Sequence, residues 1–371
     1  AEAPRHAAAL ARHARLGQDW DRVVRHAAEA ARQALSRFAN RAAVGFMEDA
    51  LTALDRLPPE PARLRQAIDL RFQLRDPLFR LGRTERLRAR LAEAAPLAER
   101  LEDWERLGQL RLFESHRAWL TGDYPAAEDA ADRAAVQARQ KGDAALALRA
   151  RFQLALCRLG RGRLEECASL MAEVAAGAED PAVIGRYGLD PPLVAVALNY
   201  RARALADLGD LAGARSAMEA CRHQAARVDL PFTWVFAALA EGAVLLAEGE
   251  AGAAAERLSW ALGQCDKAET DLMRVVVLTL LGAAARAAGC PSEAAGHLRE
   301  AIGLAGGMRF LIHQPLRLAL LAEALLDAGP GTEAPTLAVE ALTLAEAQGD
   351  AMSHAAARRA LARLAAAPAR G

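Results

Sequence analysis

Long stretches of the chain carry apolar residues at the spacing of an amphipathic helix, and single glycines separate pairs of these stretches. A tight turn between two helices needs a residue that tolerates positive φ, and glycine does so without steric cost. The pattern therefore predicts an all-α fold of helix hairpins, one hairpin around each glycine. The turn glycines recur every 40 residues in two series, Gly82, Gly122 and Gly162, then Gly209, Gly249, Gly289 and Gly329.

Small side chains stand at fixed distances from these glycines. Two antiparallel helices can approach to about 8 Å only if the residues at their crossing point are small. We therefore expect each hairpin to close through two columns of small residues, with cysteine acting as a slightly larger alanine. The column five residues after the glycine contains Ala127, Cys167, Ala214, Ala254, Ala294 and Ala334. The column seven residues before it contains Ser115, Ala155, Ala202, Gly242, Gly282 and Ala322.

Breaks in the pattern divide the chain into segments. The irregular step between the two glycine series contains a Gly- and Pro-rich insertion, and an earlier Pro-rich segment at residues 58–61 should stop a helix. We expect divergent helical hairpins in residues 1–61, regular repeats in 62–176, an insertion loop in 177–192, and repeats with C-terminal capping helices in 193–371. Together they should form one continuous solenoid.

Charge and composition exclude several classes of function. Lys plus Arg equals Asp plus Glu at 47 each, so no excess positive charge favours direct binding of nucleic acid. The most apolar run, residues 275–285, is too short to cross a bilayer. Five cysteines without a CxxC pair indicate reduced thiols, and we expect a soluble, cytoplasmic protein.

No motif for catalysis, cofactor binding or metal binding is found in the sequence. The phosphate loop, GxGxxG, HExxH and GxSxG patterns are all absent, and no two histidines are spaced as metal ligands with a third nearby. We therefore predict that the chain is not an enzyme and needs neither cofactor nor metal.

Two turn sequences resemble the tetratricopeptide repeat family. They are TGDY at residues 121–124, followed by Ala127, and LGDL at residues 208–211, followed by Ala214. The family standard is about 34 residues, so the period of 40 implies helices that are longer by nearly a turn each. The resemblance implies a right-handed α-solenoid with a concave groove.

In tetratricopeptide superhelices the first helix of each hairpin lines the concave groove. Polar and aromatic groups alternate at the matching positions here, which suits an extended peptide or a small polar ligand. Core packing is the alternative for the aromatic residues, and the apolar residues 232–246 could form a surface for a homo-oligomer. The candidate groove residues are Asp76, Phe79, His116, Trp119, Arg149, Asn199, Arg203 and Asp207.

A more specific resemblance concerns IDLRFQLR at residues 68–75 and LFRLG at residues 78–82. These segments are similar to the C-terminal repeats of bacterial signalling proteins in which a cyclase or DNA-binding module and an AAA/STAND ATPase precede helical repeats. The resemblance implies a non-catalytic scaffold that binds a protein or peptide partner and regulates an upstream ATPase or cyclase. The alternative is a repeat domain that senses a metabolite in its groove, as in the similar maltose-regulon activators.

Overall fold

The computed structural model describes residues 6–178, 192–329 and 331–366, and all regular structure in these ranges is helical. The predicted all-α fold of antiparallel hairpins is confirmed there. The predicted insertion loop, apart from its ends, lies outside the described residues. The described chain forms two compact units: unit 1 contains the residues up to Leu110 together with Lys267–Leu272, and unit 2 contains Arg111–Asp266 and the residues from Met273 onward.

The first six helices of the chain belong to unit 1, and the seventh is divided between the two units. They are α1 (Ala7–Leu16), α2 (Trp20–Leu35), α3 (Asn40–Leu54), α4 (Pro61–Gln73), α5 (Arg75–Arg80), α6 (Thr84–Arg100) and α7 (Trp104–Leu120). Those that follow are α8 (Tyr124–Lys141), α9 (Ala144–Gly160), α10 (Leu164–Gly177), α11 (Pro192–Leu208), α12 (Leu211–Val228), α13 (Pro231–Ala247), α14 (Ala251–Lys267), α15 (Asp271–Ala287), α16 (Pro291–Met308), α17 (Gln314–Ala328), α18 (Glu333–Gln348) and α19 (Ala351–Ala366).

The hairpin turns of unit 2 depend on the backbone conformation of glycine and, at some turns, on helix capping by aspartate. The glycines at 122, 162, 209, 249 and 289 have φ angles of 72–85°, a conformation that other residues adopt only at a cost. At two of these five turns an aspartate follows the glycine and accepts a hydrogen bond from a backbone N–H in the first turn of the next helix. Asp123 accepts from Ala126 N at 3.2 Å, and Asp210 accepts from Gly213 N at 2.9 Å. The turn and the start of the second helix are thus set together.

The two helices of a hairpin cross at small residues. Ser115 Oγ donates to Ala127 O at 2.7 Å, and both residues are fully buried. A Cβ added to Gly282 would lie 2.6 Å from Leu298 Cγ, so any larger residue at that crossing would force the Leu298 side chain to shift. The column five residues after the glycine is buried throughout the described hairpins that begin with α7, α9, α11, α13, α15 and α17.

Unit 1 is less regular. Its core runs through α1 to α6, with α2 packed on α3 and α4 packed on α6. The helix that precedes Gly82 is divided at Leu74 into α4 and α5, and Gly82 itself has φ 63°. The buried Asn40 at the start of α3 donates to the carbonyls of Ala268 and Glu269 at 3.0 and 3.3 Å.

Unit 2 curves far enough for its first hairpin to contact segments near its end. The backbone N–H groups of Leu311 and Ile312 both donate to Leu120 O, at 3.0 and 2.9 Å. Tyr124 Oη lies 3.4 Å from Asp350 Oδ2. We call these interactions the closing contact, and we call residues 310–313 the closing segment.

In the part of the chain that the structure describes, no helix combines the length and the apolar character needed to cross a membrane.

Candidate functional site

Successive first helices of hairpins contact each other in unit 2, where α11 packs on α13 and α17 packs on α19. Six of the eight candidate groove residues lie on first helices of this unit. The other two, Asp76 and Phe79, lie on α5 of unit 1, where Asp76 pairs with Arg75 at 2.6 Å and Phe79 packs against the core. The structure therefore gathers the candidates of α7, α9 and α11 in unit 2. These six residues are His116, Trp119, Arg149, Asn199, Arg203 and Asp207.

His116 and Trp119 are buried and make contact one turn apart on α7. Their ring centroids are 5.3 Å apart, with the planes tilted by 31°. Gln153 on α9 donates from Nε2 to His116 Nδ1 at 3.2 Å, which ties the first helices of two successive hairpins together. Arg149 is half-buried on α9, four residues before Gln153. The side chains of His116, Trp119 and Gln153 are therefore almost completely shielded from solvent at this end of the site.

The α11 end of the site is more open and carries positive charge. Phe152 meets the ring of Tyr200 edge-on at 6.5 Å, and the guanidinium of Arg203 lies 5.5 Å from the Tyr200 ring centroid. No carboxylate among the described residues lies within ion-pair distance of Arg203. Asp207 is exposed to water, yet surrounding protein raises the pKa of its carboxyl while Arg203 acts in the opposite direction.

Asn199 is the most unusual residue of the site. Its side chain is 0% exposed, and neither its oxygen nor its nitrogen has a hydrogen-bond partner among the described residues. At this position, ten before the glycine, most other hairpins carry apolar residues, among them the buried Leu112, Leu239 and Ala319. The hairpin of Gly289 carries the buried Thr279, whose hydroxyl donates to the carbonyl four residues earlier at 2.7 Å. A buried amide without partners costs about 1–3 kcal/mol of stability. Asn199 therefore places an unsatisfied amide at a buried position, which lowers the stability of the folded protein.

Sequence reasoning missed four residues near the site. Gln153 and Tyr200 stand nine residues before their glycines, a column that was not among the groove positions chosen from the resemblance. His313 and Arg317 lie in the closing segment and at the start of α17, outside the regular columns. No repeat pattern could have identified His313 and Arg317, whereas Gln153 and Tyr200 share a column of the repeat.

Arg317 and His313 are perturbed by burial. The side chain of Arg317 is 1% exposed and donates from Nη2 to the carbonyls of Phe310 and Ile312, both at 2.9 Å. Burial lowers the pKa of Arg317 to about 9. Burial, and then the charges of Arg203 and Arg317, lower the pKa of His313 to about 3, so this imidazole is neutral at physiological pH.

The cysteines give a direct test of burial. Cys290 is exposed, whereas burial raises the pKa of Cys157, Cys167 and Cys221 to about 12 and leaves little reactive thiolate. We expect one thiol per chain of the native protein to react rapidly with Ellman's reagent, releasing one equivalent of thionitrobenzoate, and all five thiols to react in the unfolded protein. The variant Cys290→Ser should lose the rapid phase. Rapid reaction of a second thiol in the native wild type would contradict this packing.

Metal ligation finds no support in residues 6–178, 192–329 and 331–366, where no group of three or more His, Cys, Asp or Glu side chains is arranged to hold an ion.

Comparison with known proteins gives the fold. No protein-family model matches the chain, and the search of curated proteins found no match. A Rap protein solved in complex with Competence and Sporulation Factor is similar in structure, with a TM-score of 0.59 and 14% identity over 92% of this chain and 96% of that one. A Signal Transduction ATPase with Numerous Domains (STAND) protein with a tetratricopeptide repeat sensor, PH0952 from Pyrococcus horikoshii, has a TM-score of 0.50 and 14% identity over 80% of this chain. This chain spans 42% of the length of that STAND protein. The described residues thus have the fold of a tetratricopeptide-repeat solenoid.

Proposed function

We propose that the chain is a non-catalytic scaffold that binds an extended peptide segment of a partner protein in the groove of unit 2. The orphaned amide of Asn199 carries this proposal. A peptide backbone offers an N–H and a C=O that match the oxygen and nitrogen of a carboxamide, so one bound segment could satisfy both atoms. Bound ligand would thus repay the cost of burying the amide.

The surroundings of Asn199 favour a ligand with acidic side chains. Arg203 carries a charge without an ion-pair partner among the described residues, and the rings of Phe152 and Tyr200 offer apolar faces beside it. Charge-assisted hydrogen bonds to a carboxylate are about twice as strong as neutral ones. Arg149, on the neighbouring first helix, is the second candidate for such a contact.

A random peptide library displayed on phage would test peptide binding without knowledge of the partner. We expect selection on the wild type to enrich acidic peptides, and the variant Asn199→Ala to bind a selected peptide about tenfold more weakly, because about two hydrogen bonds are lost. The double variant Arg149→Glu and Arg203→Glu should weaken binding further, with a reduced dependence on salt. Affinities are measured by calorimetry.

The matched control is Gln264→Ala, which removes a carboxamide that is 7% exposed on the second helix α14 of the same unit. It should leave the affinity unchanged. Equal loss in the Gln264 and Asn199 variants would contradict a specific role of Asn199. Absence of any enriched peptide, combined with a rise of the melting temperature in a metabolite pool, would instead favour the metabolite-sensing alternative.

We further propose that the scaffold is the sensor arm of a larger bacterial signalling protein with an upstream ATPase. The STAND protein of similar fold carries a tetratricopeptide repeat sensor, and this chain spans less than half of it. The native reading frame should then encode a phosphate loop upstream of these repeats. A frame that encodes the repeats alone would contradict the sensor arm and favour an independent adaptor.

A further inference from the structure

The closing contact joins parts of unit 2 that are far apart in sequence. Leu120 O, at the end of α7, accepts hydrogen bonds from the backbone of Leu311 and Ile312 at 3.0 and 2.9 Å. Arg317 holds the closing segment in place through its bonds to the carbonyls of Phe310 and Ile312. The backbone of the closing segment is therefore bound on both sides.

A second set of interactions lies beside the first. Tyr124, at the start of α8, is fully buried, and its hydroxyl lies 3.4 Å from Asp350 Oδ2. Asp350 is itself fixed because it accepts hydrogen bonds from Ser353 N at 2.9 Å and Ser353 Oγ at 2.7 Å. A Cβ added to Gly162 would lie 3.0 Å from the Cβ of Ala351, so the next turn also touches the start of α19.

These interactions are connected to the groove by short paths. Leu120 directly follows Trp119 on α7, the helix that carries His116. The ring of Tyr124 packs on Gly160 at the end of α9, the helix that carries Gln153. The closing segment ends at His313, whose pKa is lowered in part by the charge of Arg203. Movement of α7 or α9 would therefore disturb both the closing contact and the groove.

Two amide side chains of the groove are out of reach in the closed arrangement. Asn199 is 0% exposed and Gln153 is 4% exposed. A ligand can bond to these amides only after the helices that cover them shift. The helices α7 and α9 are held to each other through His116 and Gln153, and Tyr124 and Leu120 hold them to the end of the unit. For Gln153, ligand access and the closing contact thus place opposite demands on α7 and α9.

We propose that the closing contact is a latch that keeps the groove shut, and that ligand binding is coupled to its opening. The inference rests on the proposed function, because it concerns access to the same groove. A ligand that binds only the open form shifts the population toward that form, and its apparent affinity is reduced by the fraction of molecules that are closed. Coupling is reciprocal, so fixing the latch must weaken ligand binding by the same factor by which the ligand opens the latch.

A disulfide can lock the latch reversibly. We would combine Gly162→Cys with Ala351→Cys in a Cys290→Ser background, which removes the exposed native thiol. The 3.0 Å separation of the two Cβ positions must widen only slightly to reach the roughly 3.5–4.5 Å of a disulfide. Gly162 has φ 72°, where a cysteine is strained, so the oxidised protein is compared with the same protein after reduction.

The oxidised protein should bind a library-selected peptide about tenfold or more weakly than the reduced protein. Amide hydrogen exchange at Leu311 and Ile312 should slow on oxidation, because these N–H groups exchange when the latch opens. The single variant Ala351→Cys in the same background is the control and should bind equally under both redox conditions.

Equal or tighter binding by the oxidised protein would overturn the latch, and so would failure of the two cysteines to cross-link. If the wild type selects no peptide, the proposed function fails, but the exchange experiment still decides the latch. Unchanged exchange at Leu311 and Ile312 on oxidation would then show that the free protein does not open there.

Discussion

Replacing Gly160 with alanine is expected to lower the free energy of unfolding by about 2–3 kcal/mol, the upper part of the usual range for overpacking. A Cβ at this position would lie 2.2 Å from both Cζ and Oη of Tyr124. Tyr124 is fully buried and its hydroxyl reaches Asp350, so the ring has no free space to enter. The gain of about 1 kcal/mol that alanine brings within helices is too small to offset the clash. Chemical denaturation of both proteins measures the difference.

Two control variants test whether the clash with Tyr124 causes this loss of stability. Gly263→Ala lies inside α14 with nothing within 4 Å of the added Cβ, and it should raise stability by up to about 1 kcal/mol. In a Tyr124→Ala background the ring is gone, so Gly160→Ala should cost almost nothing. A full cost in that background would place the clash somewhere other than at Tyr124.

Replacing Asn199 with leucine is expected to do the opposite, raising the free energy of unfolding by about 1–3 kcal/mol while abolishing peptide binding. The substitution removes an amide that has no partner among the described residues. Leucine should fit, because the corresponding position of another hairpin is Leu239, which is buried. Thermal or denaturant unfolding and peptide calorimetry on the same sample measure both effects.

Asn40 is the matched comparison, since it is a second asparagine that is 0% exposed. Its side-chain nitrogen donates to the carbonyls of Ala268 and Glu269, so Asn40→Leu removes bonds that exist and should destabilise the protein. Changes of opposite sign in the free energy of unfolding of the two variants would support an unsatisfied amide at Asn199 that destabilises the free protein. Destabilisation by Asn199→Leu would contradict it.

The local rules of this fold can be predicted from sequence because they depend on residues close together in the chain. Gly122 and Asp123 determine a turn, and Ser115 and Ala127 determine a crossing only twelve residues apart. The interaction of Tyr124 with Asp350 spans 226 residues, and neither residue departs from the repeat pattern in a way that would identify the other. Such closure depends on the summed curvature of many hairpins, which no single repeat reveals.

In the candidate site, too, single residues could be predicted from the repeat, but their contacts with distant segments could not. Arg203 could be proposed from its column, and the structure places it beside Tyr200 and close enough to His313 to affect its pKa. The proximity of His313 to Arg203 could not be predicted, because His313 stands in a loop between repeats. Asn199 is predicted from the repeat as a groove residue, but the structure buries it completely, as it buries Leu112, Leu239 and Ala319 at the same position of other hairpins.

The closing contact also changes how unit 2 should melt. A linear repeat array frays from its terminal repeats, since each of these has only one neighbour. In unit 2 the first hairpin is bound to segments near the last one, so neither terminus is free in this sense. Loss of any one hairpin then costs interactions at both ends, which favours a single cooperative transition over stepwise unravelling.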